Sequence, residues 1–321
     1  MTTAYDHIPK TNIEYKIYSA IFGHAVADAL GVPVEFKSRE SLRQDPVTDM
    51  REYGTHFMPR GCFSDDTSMT LAALDAIAEG GGEAEIMDAF LRWYDNAEYT
   101  ATGEVFDIGG TCAAALLRYG SGIPAEKCGL CDAYSNGNGS LMRILPDILR
   151  CYFSNAEHSE TEARISRASA LTHAHGVSVL GCLIYAEIVS TVLSSPTRDA
   201  LKNGIKSSLK KYGTHEYFAE YGRIFREDFE ELPEAEIKST GYVVHTLEAA
   251  IYCVLTTNDY GSAVLKAVNL GDDTDTVAAV TGGIAGVLYG FYSIPKEWLS
   301  ALLAGDMIEK ICKKAAKAFS H

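Results

Sequence analysis

Nowhere in the 321 residues does an uninterrupted run of about 18 apolar side chains occur, the length a helix needs to cross a bilayer. The opening segment, MTTAYDHIPK, has no apolar core of the kind a secretory signal carries. Both gaps lead us to expect a cytoplasmic protein with no membrane contact. Positive charge is also scarce: 28 Lys and Arg against 43 Asp and Glu give a net charge of −15 and a pI near 5.0. Such a surface repels phosphate backbones and anionic lipid, which argues against general nucleic-acid binding. An anionic ligand would need a local site that overrides the global field.

Sustained two-residue alternation is missing, so no sheet is expected. Long linkers, low-complexity tracts and repeats of 20–50 residues are missing too. Apolar residues recur instead at three-to-four spacing, as in IEYKIYSAIFGHAVADAL. Helices are expected over roughly 12–30, 67–79, 84–97, 107–119, 140–153, 160–172, 176–194, 197–211, 241–257, 260–269, 275–290 and 305–319. The breaks between them fall at GVPVEF, EGGGE, YSNGNGS and ELPEAE. A chain with 47% hydrophobic residues can bury a large core, and one all-α domain over residues 1–321 is the expected fold. The terminal KICKKAAKAF suits the last turns of a helix better than a membrane or partner anchor.

Eight cysteines without an export signal suggest reduced thiols. Cys128 and Cys131 in CGLC have redox or zinc spacing. No second Cys-x-x-Cys completes four ligands, although His173 and His175 in HAH would be a conceivable other half. Buried, idle thiols are the reading adopted.

Two acidic clusters remain. SDDTSMT at 64–70 and GDDTDT at 271–276 each precede an apolar helix. One reading is capping: Ser64 is a good N-cap, and Asp65 and Asp66 would complement the helix dipole. The other is metal binding. Asp272, Asp273 and Asp275 lie within four residues, and carboxylates so close repel unless a cation sits among them. The helix after 275 is almost wholly apolar, so its start should lie near the core, where unpaired carboxylates are expensive. The candidate ligands Ser64, Asp65, Asp66, Asp273, Asp275 and Thr276 are all hard oxygen donors, which selects Mg²⁺ or Mn²⁺, with Ca²⁺ as a third choice, over zinc or copper. Two such clusters could bridge two ions about 3.5–4 Å apart, a hydrolytic arrangement.

At these clusters the chain resembles the ADP-ribosylglycohydrolases, the family of the dinitrogenase-reductase-activating glycohydrolase and the ADP-ribosyl-acceptor hydrolases. The elements occur in family order: ADALGVPVEF at 27–36, FSDDTSMT at 63–70, YTATGEVFDIGGT at 99–111, GNGSLMRILP at 137–146, LTHAH at 171–175 and NLGDDTDTVAAVTGGIAGVLYG at 269–290. The resemblance is strongest over residues 15–295. It implies an all-α bundle with two divalent ions at its centre, Mg²⁺ or Mn²⁺, held by Ser64, Asp65, Asp66, Asp273, Asp275 and Thr276. Asp272 stands where the family motif often has Gly and is left out. Ser64 replaces the usual Thr and keeps the hydroxyl; Ala27 replaces Gly before Asp28 and removes no ligand.

The resemblance further implies that Glu35, otherwise an ordinary loop acid, orients or deprotonates the attacking water. Asp107, otherwise an N-cap for the helix after DIGGT, would contact the distal ribose or the leaving guanidinium. The loop Gly137, Asn138, Gly139, Ser140 with Met142 would bind the diphosphate, its glycines exposing N–H groups ahead of a helix; alone it reads as a turn. Arg143 would reinforce that loop or form a structural ion pair. His173 would lie near the ADP-ribose, and Tyr99 and Phe106 would line the adenine or ribose pocket. The implied activity is hydrolysis of the glycosidic bond at the distal ribose of an ADP-ribosylated protein or small molecule, YTATGEVFDIG leaning towards arginine as acceptor. Two alternatives remain: a non-catalytic ADP-ribose binder, and an all-α isoprenoid synthase. The latter normally reads Asp-Asp-x-x-Asp, whereas Met69 stands at the fifth position here.

Overall fold

Thr11 starts the first helix: its hydroxyl accepts the Glu14 N–H at 3.1 Å, an N-cap that a threonine supplies readily. The computed structural model describes residues 8–320. In chain order the helices are α1 (Asn12–Gly31), α2 (Arg39–Gln44), α3 (Asp65–Ala78), α4 (Glu83–Asn96), α5 (Gly110–Gly120), α6 (Leu145–Phe153) and α7 (His158–Ala170). They continue with α8 (Gly176–Ser194), α9 (Arg198–Tyr212), α10 (Val243–Leu255), α11 (Tyr260–Asn269), α12 (Thr274–Tyr289), α13 (Lys296–Ala301) and α14 (Gly305–Ala318). Among the described residues there is no strand, only the isolated bridges Leu130–His173 and Gly137–Tyr242.

Every helix expected from periodicity is present. The unforeseen ones, α2 and α13, have six residues each, too few to show a period. The largest boundary error is at α6, which starts at Leu145 rather than 140. Pro146 sits in its first turn, where a missing N–H is harmless, and the residues before it form turns.

The centre of the molecule is the pair α1 and α12. All residues of α1 from Ile17 to Gly31 are buried, and α12 is buried from Thr274 to Leu288. Around them pack α3, α8, α10, α11 and α14 in one domain. The stretches Asn12–Val34 and Gly176–Ser194 reach the length and mean hydropathy of a membrane span, 1.3 and 1.9, although charged residues interrupt both. The most apolar window of the first is wholly buried inside the protein and that of the second 72% buried, so this hydropathy is spent on the core.

Small residues let α1 and α12 touch. A Cβ on Gly282 would lie 2.2 Å from the Gly23 carbonyl oxygen and 2.4 Å from the Ala27 methyl. Ala27, the departure from the family glycine, is therefore accommodated by a glycine opposite. Gly31 matters more for function, because its missing Cβ would stand 2.3 Å from Asp275 Cα and 2.4 Å from Asp275 N. No side chain can yield there. Gly31→Ala must push the start of α12 outward, an overpacking of about 1–3 kcal/mol or more. A lower unfolding temperature is expected, together with a loss of turnover measured well below that temperature. Unchanged turnover in a destabilised protein would show that the start of α12 tolerates displacement.

The α14 lysines act as surface ion-pair donors: Lys314 Nζ lies 2.7 Å from Asp75, and Lys313 Nζ 2.7 Å from Glu309. Beneath them Ile308, Ile311 and Ala315 face the core.

Candidate metal centre

The two acidic clusters are the first turns of α3 and α12, and the fold aims both helix N-termini at one point. Asp65 and Asp66 open α3; Asp273 precedes α12, and Asp275 lies in its first turn. Helix N-termini carry partial positive charge and free N–H groups, so carboxylates gather there at little cost. Ser64 caps α3, its hydroxyl accepting the Asp66 N–H at 3.2 Å. The capping reading is therefore correct for Ser64, yet it uses few of the carboxylate oxygens.

Asp28, from the last turn of α1, organises the first cluster. Its carboxylate accepts the Ser64 N–H at 3.0 and 3.1 Å, the Thr67 N–H at 3.1 Å and the Thr67 hydroxyl at 2.6 Å. It also stands within 4.8 Å of ligand atoms of Asp66 and Asp275. Burial raises Asp28 to about 6 even against these donors. The sequence holds a signal for it: Asp28 is the one acid in the long apolar stretch Ile17–Gly31.

The second cluster is tied to the loop of Glu35. The Phe36 N–H donates to the Asp272 carbonyl at 2.7 Å, and the Asp272 N–H to the Lys37 carbonyl at 2.9 Å. Asp272 itself has φ +60° and an exposed side chain, which accounts for glycine suiting that position and leaves it outside the cluster. Glu35 approaches Asp273 and Asp275 to within 4.8 Å. Asn138 reaches across from the glycine loop, its amide donating to Asp273 Oδ2 at 2.8 Å and to the Thr246 hydroxyl at 2.9 Å.

These carboxylates crowd one another inside the protein. Asp28, Glu35, Asp65, Asp66, Asp107, Asp273 and Asp275 are all raised above the usual carboxylate range, desolvation being the largest cause in each case. Asp66 Oδ1, Asp273 Oδ1 and Asp275 Oδ2 are buried without a hydrogen-bond partner. Orphaned, mutually repelling buried oxygens are what a hard divalent cation satisfies, and the donor set present fits such ions. The sign of a pH effect follows. Raised carboxylates favour the folded state while protonated, below their unfolded values near 4, and that contribution is lost as pH rises through the folded values of about 6 for Asp28 and about 8 for Glu35 and Asp107. In EDTA the unfolding temperature should fall by at least about 5 °C between pH 5 and 8.5. Millimolar Mg²⁺ or Mn²⁺ should remove most of that fall. A pH-independent unfolding temperature in EDTA would rule out the buried acidic cluster.

A cavity of about 360 Å³ opens on the cluster. Glu35, Asp65, Asp107, Asp273 and Thr276 line its acidic wall; Gly137, Asn138, Gly139, Met142 and His173 line the other. Asp107 does not cap α5, whose N-cap is Gly109. Its carboxylate lies in the cavity wall beside Glu35, and burial and Glu35 push it up to about 8 while His56 pulls it down. Glu35 reaches about 8 through burial and the neighbouring Asp273. His56, which nothing in the sequence marked, pairs its Nε2 with Glu35 and sits 3.9 Å from Asp107.

Several expected residues lie elsewhere. Ser140 is buried away from the cavity, 3.0 Å from the Ser169 hydroxyl and 3.5 Å from Cys182 Sγ. The glycine loop does not open a helix directly, since α6 starts only at Leu145. Among the described residues, no hydrogen bond occupies the N–H groups of Gly137, Gly139 or Ser140, whereas that of Asn138 binds the Gly241 carbonyl at 3.0 Å. Among the described residues Arg143 has no carboxylate partner: it donates to Thr172 Oγ1 at 2.8 Å and covers the Phe90 ring at 4.9 Å. His173 is held by the Thr172 hydroxyl at 2.9 Å, and burial with Arg143 nearby lowers it to about 3, leaving a neutral ring. Tyr99 turns away, donating to Asp75 at 3.1 Å, while the Phe106 ring lies 5.2 Å from that of His56, tilted 44° to it. Cys128 is buried with Sγ 3.3 Å from the Ile123 and Pro124 carbonyls, and Cys131 is exposed. The pair does not assemble a metal site with His173, whose Nδ1 is engaged by Thr172.

An all-α domain that opposes two acidic helix starts beside one cavity offers hard oxygen donors that could hold metal ions next to a bound ligand. The chain belongs to the ADP-ribosylglycohydrolase family, whose model matches residues 9–321. It is 32% identical over 312 residues to the ADP-ribosylarginine hydrolase Tri1 of Serratia proteamaculans, covering 96% of this chain and 80% of that protein. It is 26% identical to the ADP-ribosyl-[dinitrogen reductase] glycohydrolase of Rhodospirillum rubrum, covering 91% of each. A solved structure titled ADP-ribosylglycohydrolase-related protein complex superposes with a TM-score of 0.80 at 28% identity, covering 96% of this chain and 99% of that one. The isoprenoid-synthase alternative is thereby set aside.

Proposed function

We propose that this protein is a divalent-metal-dependent hydrolase that releases ADP-ribose from modified arginine. The observation that carries the reading is the convergence of carboxylates from α1, α3, the start of α12 and the Glu35 loop on one cluster, with three buried oxygens left unpartnered and Glu35, Asp65 and Asp273 lining the adjoining cavity. The arginine acceptor is supported by the similarity to the ADP-ribosylarginine hydrolase Tri1 of Serratia proteamaculans and to that of Pseudomonas putida, 33% identical over 301 residues.

Ser64, Asp65, Asp66, Asp273, Asp275 and Thr276 would hold Mg²⁺ or Mn²⁺, with Asp28 fixing the Ser64–Thr67 turn beneath them. Ions of this kind grip hydroxyls and polarise water. Glu35 takes the proton of the water that attacks the anomeric carbon of the distal ribose. A base whose pKa lies near the working pH serves that role best. The bond from that carbon to the guanidinium nitrogen breaks, its electron pair leaving with the nitrogen, so the group departs as guanidine and takes up the proton that Glu35 accepted; the positive charge that builds on the ribose meanwhile is stabilised by the surrounding carboxylates. Asp107, which lines the cavity with Glu35, would hold the departing guanidinium, and His56 would fix Glu35 through its Nε2. Gly137 and Gly139, whose N–H groups carry no hydrogen bond among the described residues, line the cavity where a diphosphate would be met.

The test is a panel of ADP-ribosylated acceptors, with arginine, serine and a nucleobase as linkage points, each incubated with protein and Mn²⁺. Release of ADP-ribose chiefly from arginine is expected. Release chiefly from serine or the nucleobase would overturn the acceptor assignment.

A further inference from the structure

Two loops meet above Glu35, and they present aromatic side chains to solvent. Residues 53–58 form a tight loop closed by the Tyr53 N–H to the Met58 carbonyl at 2.7 Å. It is seated on the Glu35 segment: the Thr55 N–H donates to the Pro33 carbonyl at 3.0 Å and the Thr55 hydroxyl to the Glu35 carbonyl at 2.6 Å. Gly54 makes that seating possible, since a Cβ there would fall 1.6 Å from the Pro33 carbonyl oxygen. His56 points inward to Glu35, whereas Tyr53 and Phe57 on either side of it are 58% and 81% exposed. Phe36, which lines the cavity mouth, is 68% exposed and lies 6.1 Å from the His56 ring.

The backbone holds all three outward. Phe36, Tyr53 and Phe57 have φ of +63°, +61° and +55°, conformations that bulky side chains rarely adopt. Strain of this sort persists where the surroundings over-determine it, commonly at sites that bind. Exposed aromatics lose apolar hydration only when something covers them, and rigid aromatic anchors dominate the energetics of protein contacts.

We propose that Tyr53 and Phe57 form a docking rim, completed by Phe36, for the polypeptide that carries the modified arginine. This rests on the reading of the protein as an ADP-ribosylarginine hydrolase. The occupant follows from continuity with the site: the acceptor side chain must enter beside Glu35 and Asp107, so its own backbone passes over Phe36 at the cavity and the adjoining 53–58 loop, which is seated on the Glu35 segment. A basic segment also suits a chain of net charge −15. The rim thus separates protein-borne substrate from free ADP-ribosylarginine, which is too small to span it.

The experiment compares Tyr53→Ser/Phe57→Ser with the unaltered protein on two probes, free ADP-ribosylarginine and a folded protein ADP-ribosylated on one arginine. Both side chains are solvent-exposed, so folding should be retained, which a thermal melt verifies. On the protein probe kcat/KM should fall by about tenfold or more, carried by KM, the scale of losing an aromatic anchor. On the free probe it should stay within about twofold, the range of an exposed substitution. Equal kcat/KM for variant and unaltered protein on both probes would overturn the rim. So would a concentration-dependent dimer of the unaltered protein that the variant abolishes, since the patch would then face a second copy. If the unaltered protein releases ADP-ribose from neither probe, the arginine reading itself fails, and the rim falls with it.

Discussion

Asp275→Asn should lower turnover by more than about a hundredfold, beyond the 10–100-fold typical of residues that only support a metal ligand. Asp275 is buried at the first turn of α12, and its Oδ2 has no partner. It lies within reach of both acidic groupings, that of Asp28 and Asp66 and that of Glu35 and Asp273. Removing its charge while keeping its shape subtracts a ligand and little packing. In metal-free buffer the variant should be as stable as the parent or more so, because one repelling carboxylate is gone. The two should diverge only when Mn²⁺ is added, the parent gaining stability and the variant far less. This opposite response separates a ligand from an ordinary structural acid, whose loss would destabilise both states alike. Activity assays and thermal melts with and without metal read both effects.

Glu35→Gln should behave differently. A positioned general base contributes about 10²–10⁴-fold, so the rate should fall over that range. ADP-ribose affinity should change little, because the cavity wall of Gly137, Asn138, Gly139 and Met142 is untouched. The substitution also removes the charge that faces His56 Nε2, so some loosening of the 53–58 loop is expected beside the chemical loss. Burst kinetics and product-affinity measurements distinguish the two. An unaltered rate would remove Glu35 from the proton transfer.

The sequence disclosed the clusters because their chemistry was abnormal there. Two carboxylates ahead of an apolar helix exceed what a cap requires, and α12 is so apolar that its start could only be near the core. Helix existence was equally legible, since twelve long periodic segments each bury a face. What the sequence concealed lay in tertiary approach. Asp28 was visible as an isolated acid in α1, yet its role depends on Ser64 and Thr67 arriving above it from 36 and 39 residues away. His56 carries no pattern at all; it matters because Thr55 and Gly54 clamp its loop onto Pro33 and Glu35. Ser140 and Tyr99 were read into the site from their neighbours in sequence, and both turn away, because a loop residue's direction is set by what it packs against. Asp107 was left between cap and site, and the start of α5 at Gly110 removes it from the cap.

Binding of Mn²⁺ to the metal-free protein at pH 8, followed by titration calorimetry, measures the convergence of the carboxylates most directly. Two ions per chain are expected, with binding sharply reduced in Asp275→Asn and competed by Mg²⁺. An isotherm showing no saturable binding, or identical binding by parent and variant, would contradict a metal centre built from the starts of α3 and α12.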